Sequence, residues 1–329
     1  MLVTGGAGFV GSDFVRTTVE RRDADVTVLD ALTYASDRRN LAPVEGRFTF
    51  VEGDVADEAV VEPLVAQADV VVHFAAESHV DTSIVDPATF VRTNVVGTLT
   101  LLQAVRRWGV RYHHVSTDEV FGDLPLDAEA PAFTASSPYR PSSPYAASKA
   151  ASDHLVRAWV RTYGIAATLS ASSNVYGPYQ HPEKLIPHTI TTALDGGRPR
   201  VYGSGRQVRD WVHVADHTSA LWAILERGTP GETYLVGAEN RYENRWVVET
   251  LLALAGRAPH EYDLVADRPG HDLRYAVDPS RLRDELGWRP RVTDFRDGLR
   301  ATVEWYRANE AWWRPKRATA EARYAALGR

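Results

Sequence analysis

The first half of the chain alternates short apolar runs with amphipathic stretches. Leu2-Val3-Thr4 reads as a strand, and Phe9 to about Arg22 carries a helical period. Asp25 to Leu29 and Phe48 to Val51 read as further strands. Asp69 to Phe74 is a near-continuous apolar run, as buried parallel strands are. A long helical pattern runs from about Ala88 to Arg107. A strand from Tyr112 to Ser116, a helix over 144–163 and a strand from about Ala166 to Ser172 follow. Repeated strand-helix units predict an α/β fold with a doubly wound parallel sheet. After Pro178 the alternation gives way to loops rich in Gly and Pro, which predicts a smaller C-terminal α/β lobe that closes over a substrate. The expected division is 1–177 for a cofactor domain, mainly 178–305 for the substrate lobe and 306–329 for a tail. The tail carries Trp312 and Trp313 and has no functional reading from sequence.

Strand ends carry the candidate chemistry. The first strand runs straight into Gly5-Gly6-Ala7-Gly8-Phe9-Val10-Gly11 and then a helix. Glycines at 5, 8 and 11 allow a tight turn and close backbone approach, leaving a helix N-terminus free to face a pyrophosphate. Asp30 ends the next strand, 19 residues after Gly11. An acid there can bind both ribose hydroxyls of NAD and would repel the extra phosphate of NADP. Together these features predict a Rossmann sheet. Asp54 and Val55 offer an adenine contact, and Ala75-Ala76 is small enough to let a cofactor pass. Gly8, Asp30, Ala75, Thr117 and Asn174 all fall at predicted strand ends, where such sheets bind ligands.

Composition changes the weight of one pair. The chain has 37 basic residues, of which only Lys149, Lys184 and Lys316 are lysines, leaving 34 arginines. A lysine that survives in such a chain is a candidate for work that arginine cannot do. Tyr145 and Lys149 are four apart in the helix over 144–163, so they share a face. An ammonium one turn away is expected to favour the phenolate and make Tyr145 a base for a sugar hydroxyl. Asp118 and Glu119 follow a strand directly. They read either as a split proton donor and acceptor or as two solvated turn acids.

Net charge is −6, so no basic field suggests nucleic acid or an anionic membrane. The absence of cysteine excludes disulfides, thiolate nucleophiles and Cys-based metal sites. No leader pattern and no apolar run of about 20 residues is evident, so a cytoplasmic protein is the expectation. His213 and His217 are four apart, but a helix start explains them better than a metal face, and no metal is expected.

The glycine motif with Tyr145 and Lys149 resembles the nucleotide-sugar branch of the extended short-chain dehydrogenase/reductases. Ser116-Thr117-Asp118-Glu119-Val120 resembles the signature of the dTDP-glucose 4,6-dehydratases. Ala75 to Asp81, Pro182 to Pro187, Val208 to Trp211 and Arg268 to Asp272 extend the likeness to about residue 305. The resemblance implies bound NAD and an internal redox cycle. Tyr145, helped by Thr117, takes the 4-hydroxyl proton as hydride leaves carbon 4. Glu119 removes the proton at carbon 5, Asp118 protonates the departing 6-hydroxyl, and the hydride returns to carbon 6. Lys149 and Asn94 are implied to serve the cofactor side. Ser78, Asn174, Lys184, Leu185, Arg209, Arg268, Asn240 and His271 are implied on the nucleotide-sugar side. A homodimer through the Tyr145 helix and the helix before it is also implied. Phe121, Val175 and Arg241 depart from the usual pattern, and the last two fall in expected substrate-facing loops. The same chemistry on UDP-glucose or another nucleotide sugar, a 4-epimerase, and an NAD-binding sensor or scaffold remain alternatives.

Overall fold

The computed structural model describes residues 1–127 and 129–326, and in it each apolar run of the first half is a strand. The chain begins β1 (Leu2–Thr4), α1 (Phe9–Arg21), β2 (Thr27–Asp30), β3 (Thr49–Glu52), α2 (Glu58–Ala66) and β4 (Val70–His73). Then come α3 (Val80–Val85) and one interrupted helix: α4 (Pro87–Phe90), a π-helical turn (Val91–Val96) and α5 (Gly97–Trp108). β5 (Arg111–Thr117), α6 (Pro144–Tyr163) and β6 (Ala167–Ser172) complete the first half. The second half holds β7 (Asn174–Tyr176), α7 (Leu185–Leu194), β8 (Arg200–Tyr202), β9 (Val208–His213), α8 (Val214–Arg227) and β10 (Thr233–Val236). It continues with β11 (Arg241–Glu243), α9 (Asn244–Leu254), β12 (Asp263–Val265), α10 (Ser280–Leu286), α11 (Phe295–Ala308) and α12 (Glu310–Ala326).

The main sheet has seven parallel strands in the order β10-β6-β5-β4-β1-β2-β3. Val3 of β1 registers with Val28 on one side and Val72 on the other. The order reverses at β1, so the crevice that such a reversal opens lies at the ends of β1 and β4. Phe14 and Val15 of α1 pack with Leu221 and Ile224 of α8 on one face. Val61 and Val65 of α2 pack with Leu101 and Val105 of α5 on the other.

The chemistry-bearing helix α6 is closed at both ends. Ser143 accepts the Ala146 N–H at 3.1 Å, Pro144 occupies the first turn, and Gly164 ends it in the left-handed conformation. That fixes Tyr145 and Lys149 in its first turns.

The contiguous division expected at residue 177 does not hold. β7 pairs with β9, and β9 with β11, in a separate three-stranded sheet. β10 instead returns to pair with β6 in the main sheet, and α8 and α10 pack on that sheet. The physical reason is that β6 still had an open edge. Without β10, a buried ladder would be left unpaired. The second lobe is therefore built from two segments, β7 to β9 with α7 and β11 to β12 with α9, on either side of α8 and β10. The tail is also structured: α12 buries Trp312 and Trp313 in the lobe core with Tyr306 and Leu299. Positions 327–329 of the expected tail lie outside the described residues.

Candidate active site

A cleft of about 450 Å³ opens where the sheet order reverses. Its floor is the turn between β1 and α1. Gly5 sits at φ +69°, and a Cβ there would lie 2.5 Å from the Ala75 nitrogen. A Cβ on Gly11 would lie 2.2 Å from the Gly5 carbonyl oxygen. Both positions need glycine because backbone fills the space a side chain would take. Gly8 is the N-cap of α1 and supplies no side-chain cap, so first-turn N–H groups stay available to an anion. Phe9 and Val10 line the same floor.

Asp30 ends β2 with its carboxylate held by two backbone donors, Ala7 at 2.9 Å and Leu32 at 2.9 Å. Each oxygen keeps acceptor capacity for a ribose hydroxyl. Asp54 and Val55 line the cleft, with Asp54 ion-paired to Arg92 and accepting the Ala56 N–H at 2.8 Å. Ala75, Ala76 and Ser78 line it from the end of β4. The cradle closed to any Cβ, the uncapped helix start and the pre-oriented acid fit a dinucleotide such as NAD.

Asn94 is the exception among the expected cofactor residues. It does not line the cleft. Its amide is spent on the Glu77 N–H at 2.9 Å, the Glu77 carbonyl at 3.0 Å and Ser148 Oγ at 2.8 Å. It sits in the π-helical turn and ties the loop after β4 to α6. Asn94 thus shapes the cleft wall from behind.

β5 ends at Thr117, whose hydroxyl accepts the Glu119 N–H at 3.3 Å and starts a one-turn helix. Asp118 is 2% exposed. Its Oδ1 accepts the Thr117 hydroxyl at 3.4 Å, and its Oδ2 has no partner. Burial, then the neighbouring Glu119 charge, pushes its pKa well above its ordinary value, which favours the protonated form that a proton donor needs. Burial also raises Glu119, but Arg268, Lys184 and Arg209 oppose the shift. The reading of two solvated turn acids is excluded.

Thr117, Asp118, Glu119, Tyr145 and Lys149 all line the one cleft. Thr117 hydrogen bonds to Tyr145, whose ring packs edge-on against Phe90. The expected effect of Lys149 on Tyr145 is corrected here. Burial, then the Glu119 charge, raises the Tyr145 hydroxyl above its ordinary value, and Thr117 opposes this. Lys149 instead donates to the Val115 carbonyl at 2.8 Å, and burial lowers its own pKa to about 8.

A second cavity of about 170 Å³ shares Glu119, Asn174 and Lys184 with the first. Leu185, Arg209, Arg268 and His271 line it as expected. Lys184 donates to the Ser78 carbonyl at 2.8 Å, joining the lobe to the main sheet. Arg209 is anchored on the Val208 and Asp272 carbonyls, both at 2.8 Å, with its guanidinium over the Tyr275 ring. Burial, Arg268 and Arg209 hold His271 down to about 4, so its ring is neutral near pH 7. Asn174 Oδ1 is buried without a partner, and so is Arg268 Nε. The unpaired Arg268 Nε, with the Lys184 and Arg209 cations beside it, suits a diphosphate.

Asn240 does not reach either cavity, because its side chain donates to the Trp211 carbonyl at 3.2 Å. Asn244 lines the second cavity instead, with a buried Oδ1 that has no partner. Arg200, Tyr202 and Tyr324 line it too. Sequence reasoning missed all four, because they sit singly on β8, α9 and α12 with no motif around them. Arg241 is not in a cavity wall either: it lies 3.7 Å from the buried Asp210 and donates to the Val277 carbonyl. Val175 does line the main cleft. Phe121 packs against Phe133 and Tyr139. His213 caps α8 by accepting the Ala215 N–H at 3.3 Å.

Comparison with known proteins agrees with this geometry. The family model described as GDP-mannose 4,6 dehydratase matches residues 2–302. A dTDP-glucose 4,6-dehydratase of Mycolicibacterium smegmatis is 59% identical over 329 residues, covering all of this chain and 99% of that protein. Escherichia coli dTDP-glucose 4,6-dehydratase 1 is 47% identical over 95% of this chain and 94% of its own length. The dTDP-glucose 4,6-dehydratase DesIV of Streptomyces venezuelae, solved with NAD and TYD bound, superposes with a TM-score of 0.92 at 49% identity. That match covers 96% of this chain and 99% of DesIV. A UDP-glucose 4-epimerase of Thermus thermophilus solved with NAD gives 0.87 at 34% identity, over 94% and 99%. The shared fold thus spans both activities. The chain belongs to the dTDP-glucose 4,6-dehydratases, within the GDP-mannose 4,6 dehydratase family.

Proposed function

We propose that the protein removes water from a nucleoside-diphosphate hexose, dTDP-glucose, to give the 4-keto-6-deoxy sugar. The observation that carries this is Asp118: a buried carboxyl whose pKa is pushed up, set beside Glu119 in the cleft that holds Tyr145. An epimerase needs no such acid. The glycine turn, Asp30 and Lys149 would hold NAD, which supplies a hydride acceptor for carbon 4 and a donor for carbon 6.

The residues divide the remaining work. Tyr145 and Thr117 take the proton from the 4-hydroxyl. A ketone at carbon 4 acidifies the hydrogen on carbon 5, and Glu119 removes it. Asp118 gives its proton to the 6-hydroxyl, which departs as water. Lys184, Arg209 and Arg268 bind the diphosphate, with Asn174 and Asn244 beside it and His271 near the nucleotide. Carbon 5 regains its proton from Glu119.

The purified protein incubated with dTDP-glucose and, separately, with UDP-glucose tests the reading by mass spectrometry. Loss of one water from the first, at a rate at least tenfold above the second, supports it. An unchanged mass with inversion at carbon 4 overturns it.

The assembly we infer is a homodimer. Val91 and Val96 of the π-helical turn, Trp108 of α5 and Tyr163 of α6 are exposed apolar residues on the helices in question. Among the described residues no helix is long and apolar enough to cross a membrane. Use of NAD and a nucleotide sugar supports a cytoplasmic setting.

A further inference from the structure

Behind Lys149 lies a charged cluster that the dehydration leaves unused. His114 of β5 and Asp153 of α6 are 0% and 1% exposed at the side chain. His114 Nε2 lies 3.2 Å from Asp153 Oδ1 and 3.4 Å from Lys149 Nζ, so the ring stands between carboxylate and ammonium. Asp153 Oδ2 accepts the hydroxyls of Ser116 at 2.8 Å and Tyr139 at 2.7 Å. Among the described residues, Oδ1 faces His114 Nε2 and no other polar group.

The surroundings identify what balances that oxygen. Against the cluster stand His73 of β4, its ring 5.4 Å from that of His114, and Tyr112 of β5 with its hydroxyl 3.2 Å from His114 Nδ1. Ser152 of α6 reaches His114 at 3.3 Å. Burial holds both histidines neutral. Arg157 donates to the Tyr139 hydroxyl at 2.8 Å, one residue further out on the Oδ2 side. Tyr145 stands above, with Glu119 and Asp118 beyond it. Among the described residues, Asp153 is the buried anion of this cluster and Lys149 its buried cation. Burial works against the Lys149 charge, and Asp153 is the group that opposes it.

We propose that Asp153 is the counter-charge of Lys149, acting across the His114 ring, and is thereby a positioning residue that keeps Lys149 charged in the cleft. Only the link to turnover rests on the dehydratase reading.

The scarcity of lysine makes a direct test practical. Holoenzyme labelled with ¹³Cε-lysine gives three side-chain signals, from Lys149, Lys184 and Lys316. In Asp153→Asn the Lys149 titration moves down by at least one pH unit, while Lys184 and Lys316 stay put. The alkaline limb of kcat moves down with it, and KM does not change. Asp153→Glu restores part of both. If Asp153→Asn does not fold, His114→Gln gives a smaller shift in the same direction. An unmoved Lys149 titration in whichever variant folds, or a moved titration with an unmoved kcat profile, overturns the proposal. A wild-type enzyme without turnover on dTDP-glucose would overturn the dehydratase reading instead, and the titration would still test the counter-charge.

Discussion

Asp118 and Glu119 are consecutive and both raised by burial, yet Glu119 is opposed by three cations and Asp118 mainly by Arg209. Asp118 is buried with one oxygen unbonded, and its neighbour's charge adds to the cost of ionising it. Glu119 faces Arg268, Lys184 and Arg209, which favour its ionised form. The two acids lie in the one-turn helix after β5, where consecutive side chains project about 120° apart. Glu119 is the one that meets the three cations of the lobe. The split into acid and base follows from that divergence.

Removing either proton-transfer group should separate oxidation from elimination. Asp118→Asn and Glu119→Gln are expected to lower water release by about 10²–10⁴-fold. Reduction of the bound cofactor on adding substrate should persist, visible as nicotinamide absorbance that rises and does not decay. Normal water release by both variants would contradict the assignment.

The same burial predicts a trade between stability and activity. Asp118 has a folded pKa above its unfolded value, so the stability it contributes is present below the ordinary carboxylate pKa and is lost as pH rises toward the folded value. Asp118→Asn keeps the shape and removes the charge. Its melting temperature should match the wild type near pH 4 and exceed it near pH 8, where the wild type must keep a buried acid. Thermal melts at the two pH values check this.

The glycine floor should be intolerant of a methyl group. Gly11→Ala places a Cβ 2.2 Å from the Gly5 carbonyl, which is backbone and cannot swing aside. NAD retained after gel filtration is expected to fall by at least tenfold, with some loss of fold stability. Undiminished retention would mean that the turn can open without cost.

The tail should prove to be part of the cofactor site. Trp312 Nε1 donates to Asn40 Oδ1 at 2.9 Å, and Asn40 Nδ2 donates to the Ala7 carbonyl at 2.9 Å. Trp312→Phe removes the first bond, worth about 1 kcal/mol, so NAD affinity should drop by roughly fivefold. Trp313 is fully buried. Trp313→Ala should cost about 3–5 kcal/mol in urea unfolding.

Much of this was legible in the chain because it rests on local rules. The β1 turn, Asp30 and the span of α6 follow from strand-end glycines, period and caps. Asn94 and Asn240 are held by internal partners, and an asparagine near a site reads the same whether its amide faces a ligand or fastens a loop. Only the partners at Glu77 and Trp211 decide. β10 could not be assigned to the main sheet, because strand pairing across more than 60 residues leaves no local mark. Asn244 and Tyr324 reach the second cavity through the packing of the lobe, which no spacing encodes. The effect of Lys149 on Tyr145 failed as an expectation because spacing gives a face and says nothing of burial.

The central claim is that oxidation, elimination and reduction occur in one cleft with Glu119 handling the carbon 5 proton. The direct measurement is the reaction of dTDP-glucose in heavy water, with the product's deuterium located by NMR. The account predicts one solvent deuterium at carbon 5 and an unlabelled hydrogen carried from carbon 4 to carbon 6. Product formed with solvent deuterium at carbon 6, or with none at carbon 5, would contradict it.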